Sequence, residues 1–255
     1  MLLIELSRPF HRSPRGHKEN REFSDKLHAF LQGEVKMKKT VCLLALLLVM
    51  TGCGKYMKWG NKGTSGSGVV KTEKRDIGAF TSVNVSGAYE VEIVCQKQPG
   101  LEIEGDDNIL PLVNAFVKDN TLYIESARSF NVKRAIKVRI TTGNLEGLSS
   151  SGASKITLEG VKNEQLVIET SGASRIDAAG ETKSLEIESS GASKVDVQEL
   201  RASRVKVSLS GAGRANIYAT EELNADVSGA SQVTYYGEPK VVNKSISGAG
   251  SINKG

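Results

Sequence analysis

Aromatic side chains are scarce in this 255-residue chain, at 5%, with a single Trp. Histidine occurs three times, as His11, His17 and His28, and cysteine three times, as Cys42, Cys53 and Cys95. Each shortage excludes something. Three cysteines cannot staple a disulfide-rich scaffold. With no histidine after residue 28, Ser-His-Asp triads and His–metal sites are ruled out for everything downstream. The apolar run Val41–Met50 has ten residues, too few to span a bilayer as a helix. Charged residues, at 25%, are ordinary, so the chain as a whole is not of disordered composition.

What is present begins with that run. Lys38 and Lys39 precede it and Thr51-Gly52-Cys53 follows it. A basic n-region, a ten-residue h-region and small residues leading into a cysteine occur in the order of a secretory signal. The stretch resembles a bacterial lipoprotein signal peptide over residues 37–52, which implies cleavage before Cys53 and lipidation of its thiol. Residues 1–36 then read as a start site placed too far upstream of Met37, or as a disordered extension.

That reading changes the charge. The formal net charge of +5 comes from 34 basic and 29 acidic residues. Nine of the basic and five of the acidic residues precede Cys53, leaving 25 against 24. With no basic surplus, no histidine and few aromatics, the chain is not expected to bind nucleic acid. Only Cys95 remains as a free thiol, in an apolar strand-like run, where a buried inert role is expected.

Residues 53–72 are rich in Gly, Ser and Lys and read as a flexible tether. From Phe80 the apolar residues alternate: Val83 and Val85, Val91 and Ile93, Leu101 and Ile103, Leu122 and Ile124, then Ile136, Val138 and Ile140. Period two signals half-buried strands. One short helix is expected over Ile109–Val117, with Pro111 near its start.

The strongest feature is a repeat. Ser-Gly-Ala-Ser or Ser-Gly-Ala-Gly begins at Ser151, Ser171, Ser190, Ser210, Ser228 and Ser247, at spacings of 20, 19, 20, 18 and 19 residues, and a related Ser86-Gly87-Ala88-Tyr89 lies upstream. Repeats of this length built from strands mean a solenoid. Aligned, they give four apolar rows: Ile156, Ile176, Val195, Ala215, Val233 and Ile252; Leu158, Ala178, Val197, Ile217 and Tyr235; Leu166, Leu185, Val205, Leu223 and Val242; and Ile168, Ile187, Val207 and Ala225, a row that Lys244 interrupts. A turn of about 20 residues at about 3.3 Å each has a perimeter near 66 Å. The fold expected is all-β, a parallel β-helix with 18–20-residue turns. Ser-Gly-Ala-Ser marks its corner, where Gly permits positive φ and stacked Ser hydroxyls bond along the row.

Candidate chemistry is thin. A basic row (Lys155, Arg175, Lys194, Arg214) follows the corner, with Asp177 and Asp196 interleaved, and reads as a solvated face of mixed sign. Glu169, Glu188, Ser208 and Asp226 precede the corner. Acids spread one or two per turn do not form the paired site that polysaccharide cleavage needs, so no enzyme, cofactor or metal is expected. Asp106-Asp107-Asn108 reads as a polar turn rather than a Ca²⁺ site. Tyr218 and Tyr236 hold equivalent positions in successive turns and are expected to stack as a glycan-binding platform.

Ile77-Gly78-Ala79-Phe80-Thr81-Ser82-Val83, Leu101-Glu102-Ile103-Glu104-Gly105-Asp106-Asp107-Asn108 and Asp119-Asn120-Thr121-Leu122-Tyr123-Ile124, followed by the Ser-Gly-Ala-Ser series and its closing Gly250-Ser251-Ile252-Asn253, resemble the putative auto-transporter adhesin, head GIN domain family over residues 73–255. The resemblance implies a right-handed β-helix exported to the cell envelope, and it carries over no catalytic residue. A lipid-anchored envelope module is therefore expected, held to a membrane through Cys53, with the outer membrane favoured by Gly54. It would recognise a surface glycan or an envelope protein, with a structural spacer as the alternative. Exposed strand edges at the solenoid's ends call for a capping segment or a homo-oligomer.

Overall fold

The computed structural model describes residues 63–255. The expectations for residues 1–36, the signal 37–52 and the lipidated Cys53 lie outside those residues. In chain order the strands are β1 (Thr64–Ser65), β2 (Val70–Arg75), β3 (Ser82–Gly87), β4 (Tyr89–Val94), β5 (Gly100–Asp106), β6 (Val113–Lys118), β7 (Thr121–Ser126), β8 (Phe130–Asn131) and β9 (Ile136–Thr141). They continue with β10 (Gly147–Gly152), β11 (Lys155–Gly172), β12 (Arg175–Gly191), β13 (Lys194–Gly211), β14 (Arg214–Gly229), β15 (Gln232–Tyr236), β16 (Val241–Gly248) and β17 (Ser251–Lys254). The domain is an all-β solenoid of stacked parallel coils. Among the described residues no helix is long and apolar enough to cross a membrane.

The rows read from the repeat are the rungs of the ladder. Ile156 pairs with Ile176, Ile176 with Val195, Val195 with Ala215, Ala215 with Val233, and Val233 with Ile252. Leu166, Leu185, Val205, Leu223 and Val242 form a second unbroken row. All but Val242 are buried, because alternation turns every second side chain inward and each turn covers the last. Burying one such Ile or Leu contributes about 1.5–3 kcal/mol, so the stack is held by its interior rows. Val242, and the inward-register Ile246 beside it, are exposed on the final coil, where β16 has no further turn above it.

The corner glycines have positive φ: +120° at Gly152, +125° at Gly172, +117° at Gly191 and +101° at Gly211. The following alanine donates its N–H one rung down, Ala173 to Gly152 and Ala192 to Gly172, each at 2.8 Å. The hydroxyl bonding differs from the expected pattern. The first serine of each tetrapeptide faces outward. The serine–serine and threonine–serine bonds run inside, Ser150 Oγ to Ser174 Oγ and Thr170 Oγ1 to Ser189 Oγ, both 2.8 Å. These inward hydroxyls are buried, and pairing with one another removes the penalty of burying them alone.

The first half departs from chain order. β10 pairs with β3 and β3 with β7, while β11 pairs with β4 and β4 with β9. The rung β3–β4 therefore lies between the later rung β7–β9 and the regular coils. The upstream Ser86-Gly87 is thereby a true corner, in register with Ser151-Gly152. Antiparallel β6, on β7, and β5, on β9, close this end, with β2 laid on β5.

Two expectations are corrected. The helix over Ile109–Val117 is a single 3₁₀ turn, Leu110–Leu112, followed by strand β6. Its first turn has no side-chain cap, and Val113, Ala115 and Val117 find period-two partners in Ser126, Ile124 and Leu122, which outweigh a weak helical preference. The tether does not reach residue 72. β1 pairs with β8, and β2 with β5, so the folded unit begins before Val70. Arg75 on β2 donates to the carbonyls of Val113 (2.5 Å) and Leu110 (2.9 Å), pinning the cap.

Candidate functional site

Period two also fixes what faces out. On the wall that leads into the Ser-Gly-Ala corner, one outward row runs Asn84, Ser149, Glu169, Glu188, Ser208, Asp226 and Ser245, each in register with the next. Two residues on, a second row is serine on seven consecutive rungs: Ser86, Ser151, Ser171, Ser190, Ser210, Ser228 and Ser247. Small side chains leave space above the sheet. Apart from Ser86, the two rows line an open groove of about 660 Å³ from Asn84 to Ser245, with the intervening Ser150, Thr170, Ser189, Leu209 and Val227 at its floor. Seven rungs at about 4.8 Å make it about 29 Å long.

The groove's polarity is one-sided. Its charged lining residues are Glu169, Glu188 and Asp226, and no Lys or Arg lines it. Ser149 donates to the Glu169 carboxylate at 2.9 Å. Lys206 stands beside the groove with Nζ 2.6 Å from Glu186. That hydrogen bond holds its pKa above the usual lysine value, and the charges of Glu188 and Asp226 add to the effect. A hydroxyl and carboxylate surface of this kind accepts hydrogen bonds from hydroxyl or ammonium groups and disfavours polyanions.

The basic row lies on the other side of the corner. Three of its four cations are met by carboxylates: Lys155–Glu90, Arg175–Asp177 and Lys194–Asp196, each 3.4 Å. These are exposed pairs, worth little individually, and they make the face one of mixed sign. Tyr218 and Tyr236 are register partners. The Arg201 guanidinium lies 5.3 Å from the centre of the Tyr218 ring, and a Cβ at Gly237 would come within 3.1 Å of that ring. The stacked aromatic pair among the described residues is a different one, Phe116 with Tyr123, at 5.3 Å and 15°. Tyr235 is buried beneath the Lys244 ammonium, 4.6 Å from its ring centre.

Asp106-Asp107-Asn108 is a turn that holds the chain entering β2. Asn108 Oδ1 accepts from Ser67 N–H (2.9 Å), its Nδ2 donates to the Ser65 carbonyl (2.8 Å), and Asp106 accepts from Gly68 N–H (3.2 Å). Among the described residues no group of three His, Cys, Asp or Glu could hold a metal ion. Cys95 is buried, and burial pushes its thiol pKa up to about 11, away from thiolate chemistry.

In the sequence the Glu169–Asp226 row and the serine corner are separate features, and Phe116 and Tyr123 carry no repeat that marks them. The outward phase of Tyr123, between the apolar Leu122 and Ile124, was a signal that could have found it.

The described residues form an all-β solenoid with an open polar groove along its outward rows. The family described as "Putative auto-transporter adhesin, head GIN domain" matches residues 79–239, and the chain belongs to that family. Among solved structures, a putative adhesin from Bacteroides fragilis superposes with a TM-score of 0.65 at 26% identity, covering 75% of this chain and 100% of that one. A putative lipid binding protein from Parabacteroides distasonis is similar at 20% identity with a TM-score of 0.46, covering 76% of this chain and 100% of that one. No curated protein matches the chain. The family and the Bacteroides fragilis structure are named for adhesion and not for an enzymatic activity. That membership suggests an adhesin-like role at the cell envelope or surface.

Proposed function

We propose that this protein is a lipid-anchored binding module of the bacterial cell envelope. Cys53 carries the lipid, a short tether follows, and the β-helix docks an extended partner, a surface glycan or an envelope protein, in the groove between Asn84 and Ser245. The observation that carries this reading is the groove itself: two outward rows of small and acidic side chains, in register over seven rungs, beside a core that accounts for the inward residues alone. Corners need one glycine each; they do not need an outward serine on every rung.

The test is to fill the groove. Ser190→Arg with Ser210→Arg places two long cations among exposed serines, without touching the core. Binding of the purified domain to cell-envelope preparations is expected to fall at least tenfold, with the circular dichroism spectrum unchanged. Retention of binding would refute the groove, and absence of envelope binding by the unmodified domain would favour a spacer. Metabolic labelling with a fatty acid, lost in Cys53→Ser, checks the anchor.

A further inference from the structure

The groove's row does not stop at Asn84. Asn84 is the register partner of Tyr123, and Tyr123 that of Phe116. Both rings point outward, because Leu122, Ile124, Ala115 and Val117 take the inward phase on the same strands. Phe116 is 42% exposed on the edge strand β6. Its ring lies 5.3 Å from that of Tyr123, close to the spacing of neighbouring strands, and within 15° of parallel. In a chain with so few aromatics, an outward stacked pair contributes little to the core. It places an apolar surface at the end of a row that is otherwise hydroxyl, amide and carboxylate.

We propose that Phe116 and Tyr123 are the stacking end of the groove, and that its ligand is an extended glycan of uncharged or amino-bearing sugars lying along the solenoid axis. This rests on the binding-module reading above. Sugar rings present a C–H face that packs on an aromatic ring, and an equator of hydroxyls that hydrogen-bond to serine, amide and carboxylate. The structure supplies the first surface at Phe116–Tyr123 and the second from Asn84 through Ser149 and Glu169 to Glu188. The rungs repeat at about 4.8 Å, comparable to one pyranose along an extended chain, so successive sugars meet successive rungs. The three groove carboxylates, with no lining cation, reject uronate or sulfated polymers. A peptide docking by strand addition would need a free strand edge, and the groove rows are paired on both sides throughout β3, β10, β11, β12 and β13.

The experiment titrates the domain with uncharged β-glucan oligomers and glucosamine oligomers, with oligogalacturonate as the polyanionic control, by isothermal calorimetry. Binding of one of the first two, weakened at least tenfold by Phe116→Ala with Tyr123→Ala, and no binding of the third, is expected. Phe116→Leu with Tyr123→Leu, which keeps apolar bulk but removes the rings, should show the same loss if the alanine variant folds poorly. Loss through Tyr218→Ala with Tyr236→Ala instead would overturn the assignment. So would binding of oligogalacturonate, or no sugar binding at all. If the groove-filling arginines abolish envelope attachment while the ring variants do not, the binding-module reading stands and the aromatic assignment falls. If protease treatment of the envelope abolishes attachment, the partner is a protein and the glycan assignment falls.

Discussion

Gly191→Ala probes the corner directly. Gly191 has φ +117°, and a Cβ there would sit 2.5 Å from the carbonyl oxygen of Gly172 and 3.0 Å from its nitrogen. Both obstacles are backbone atoms of the rung below and cannot rotate away. A non-glycine residue held in such a conformation costs about 1–3 kcal/mol. Relief of the clash would lengthen the 2.8 Å bond from Ala192 N–H to the Gly172 carbonyl, at about 1 kcal/mol. The sum, about 2–4 kcal/mol, is a large share of a domain stability of about 5–15 kcal/mol. For a domain of this size it corresponds to a melting temperature lower by about 4–16 °C. Urea and thermal denaturation followed by circular dichroism measure it, with Ser190→Ala as the exposed control, expected within about 0.5 kcal/mol of the parent. A Gly191→Ala variant within 0.5 kcal/mol of the parent would refute the view that the corner demands glycine.

Position along the rod should grade the cost of truncating a core row. Ile187→Ala in the interior is expected to lose about 2–5 kcal/mol, and Ile246→Ala, 49% exposed on the final coil, less than about 1 kcal/mol; denaturant midpoints compare them. Cys95 titrates from an ordinary value of 9.0 in the unfolded chain to about 11 in the fold. Its contribution is full below pH 9 and is lost as pH rises toward 11, with a slope of at most about 1.4 kcal/mol per pH unit, so Cys95→Ala should flatten the dependence of the urea midpoint on pH over that window. The native thiol should also resist a disulfide reagent at pH 8 until urea opens the domain. Asn108→Ala removes both of its bonds to Ser65 and Ser67; faster amide exchange at residues 65–68, with little change in melting temperature, is expected.

The regular coils were legible because one physical rule, alternation against a fixed interior, governs the straight stretches of each coil between the corners and the bulges. Ile156 and its partners could be placed in one row without any structure. The first half was not legible in the same way. Nothing near Ser82–Val94 signals that the rung of β7 and β9, later in the chain, stacks beneath it, because non-sequential stacking is decided by which edges remain free. Asn163 shows the same limit: its amide reaches across to the Leu145 carbonyl at 2.5 Å, a contact no local pattern announces. The serine repeat marks corner chemistry, as at Gly172 and Gly191. Its outward hydroxyls became a surface only when the rows were seen to align with Glu169 and Glu188. Tyr218 and Tyr236 hold matching positions in successive turns, but that Arg201 and Gly237 lie against the Tyr218 ring is a matter of packing.

The two ends of the rod are unlike. At one, Arg75 ties β2 to the carbonyls beneath β6, and antiparallel strands seal the interior. At the other, β16 is exposed along its whole length. Because each coil touches only its neighbours, opening is expected to have a direction, starting at β16 and moving toward Arg75 one rung at a time. Each lost rung shortens the groove from the Ser245 side and leaves Phe116 and Tyr123 in place, so the aromatic end is the last part of the groove to be lost.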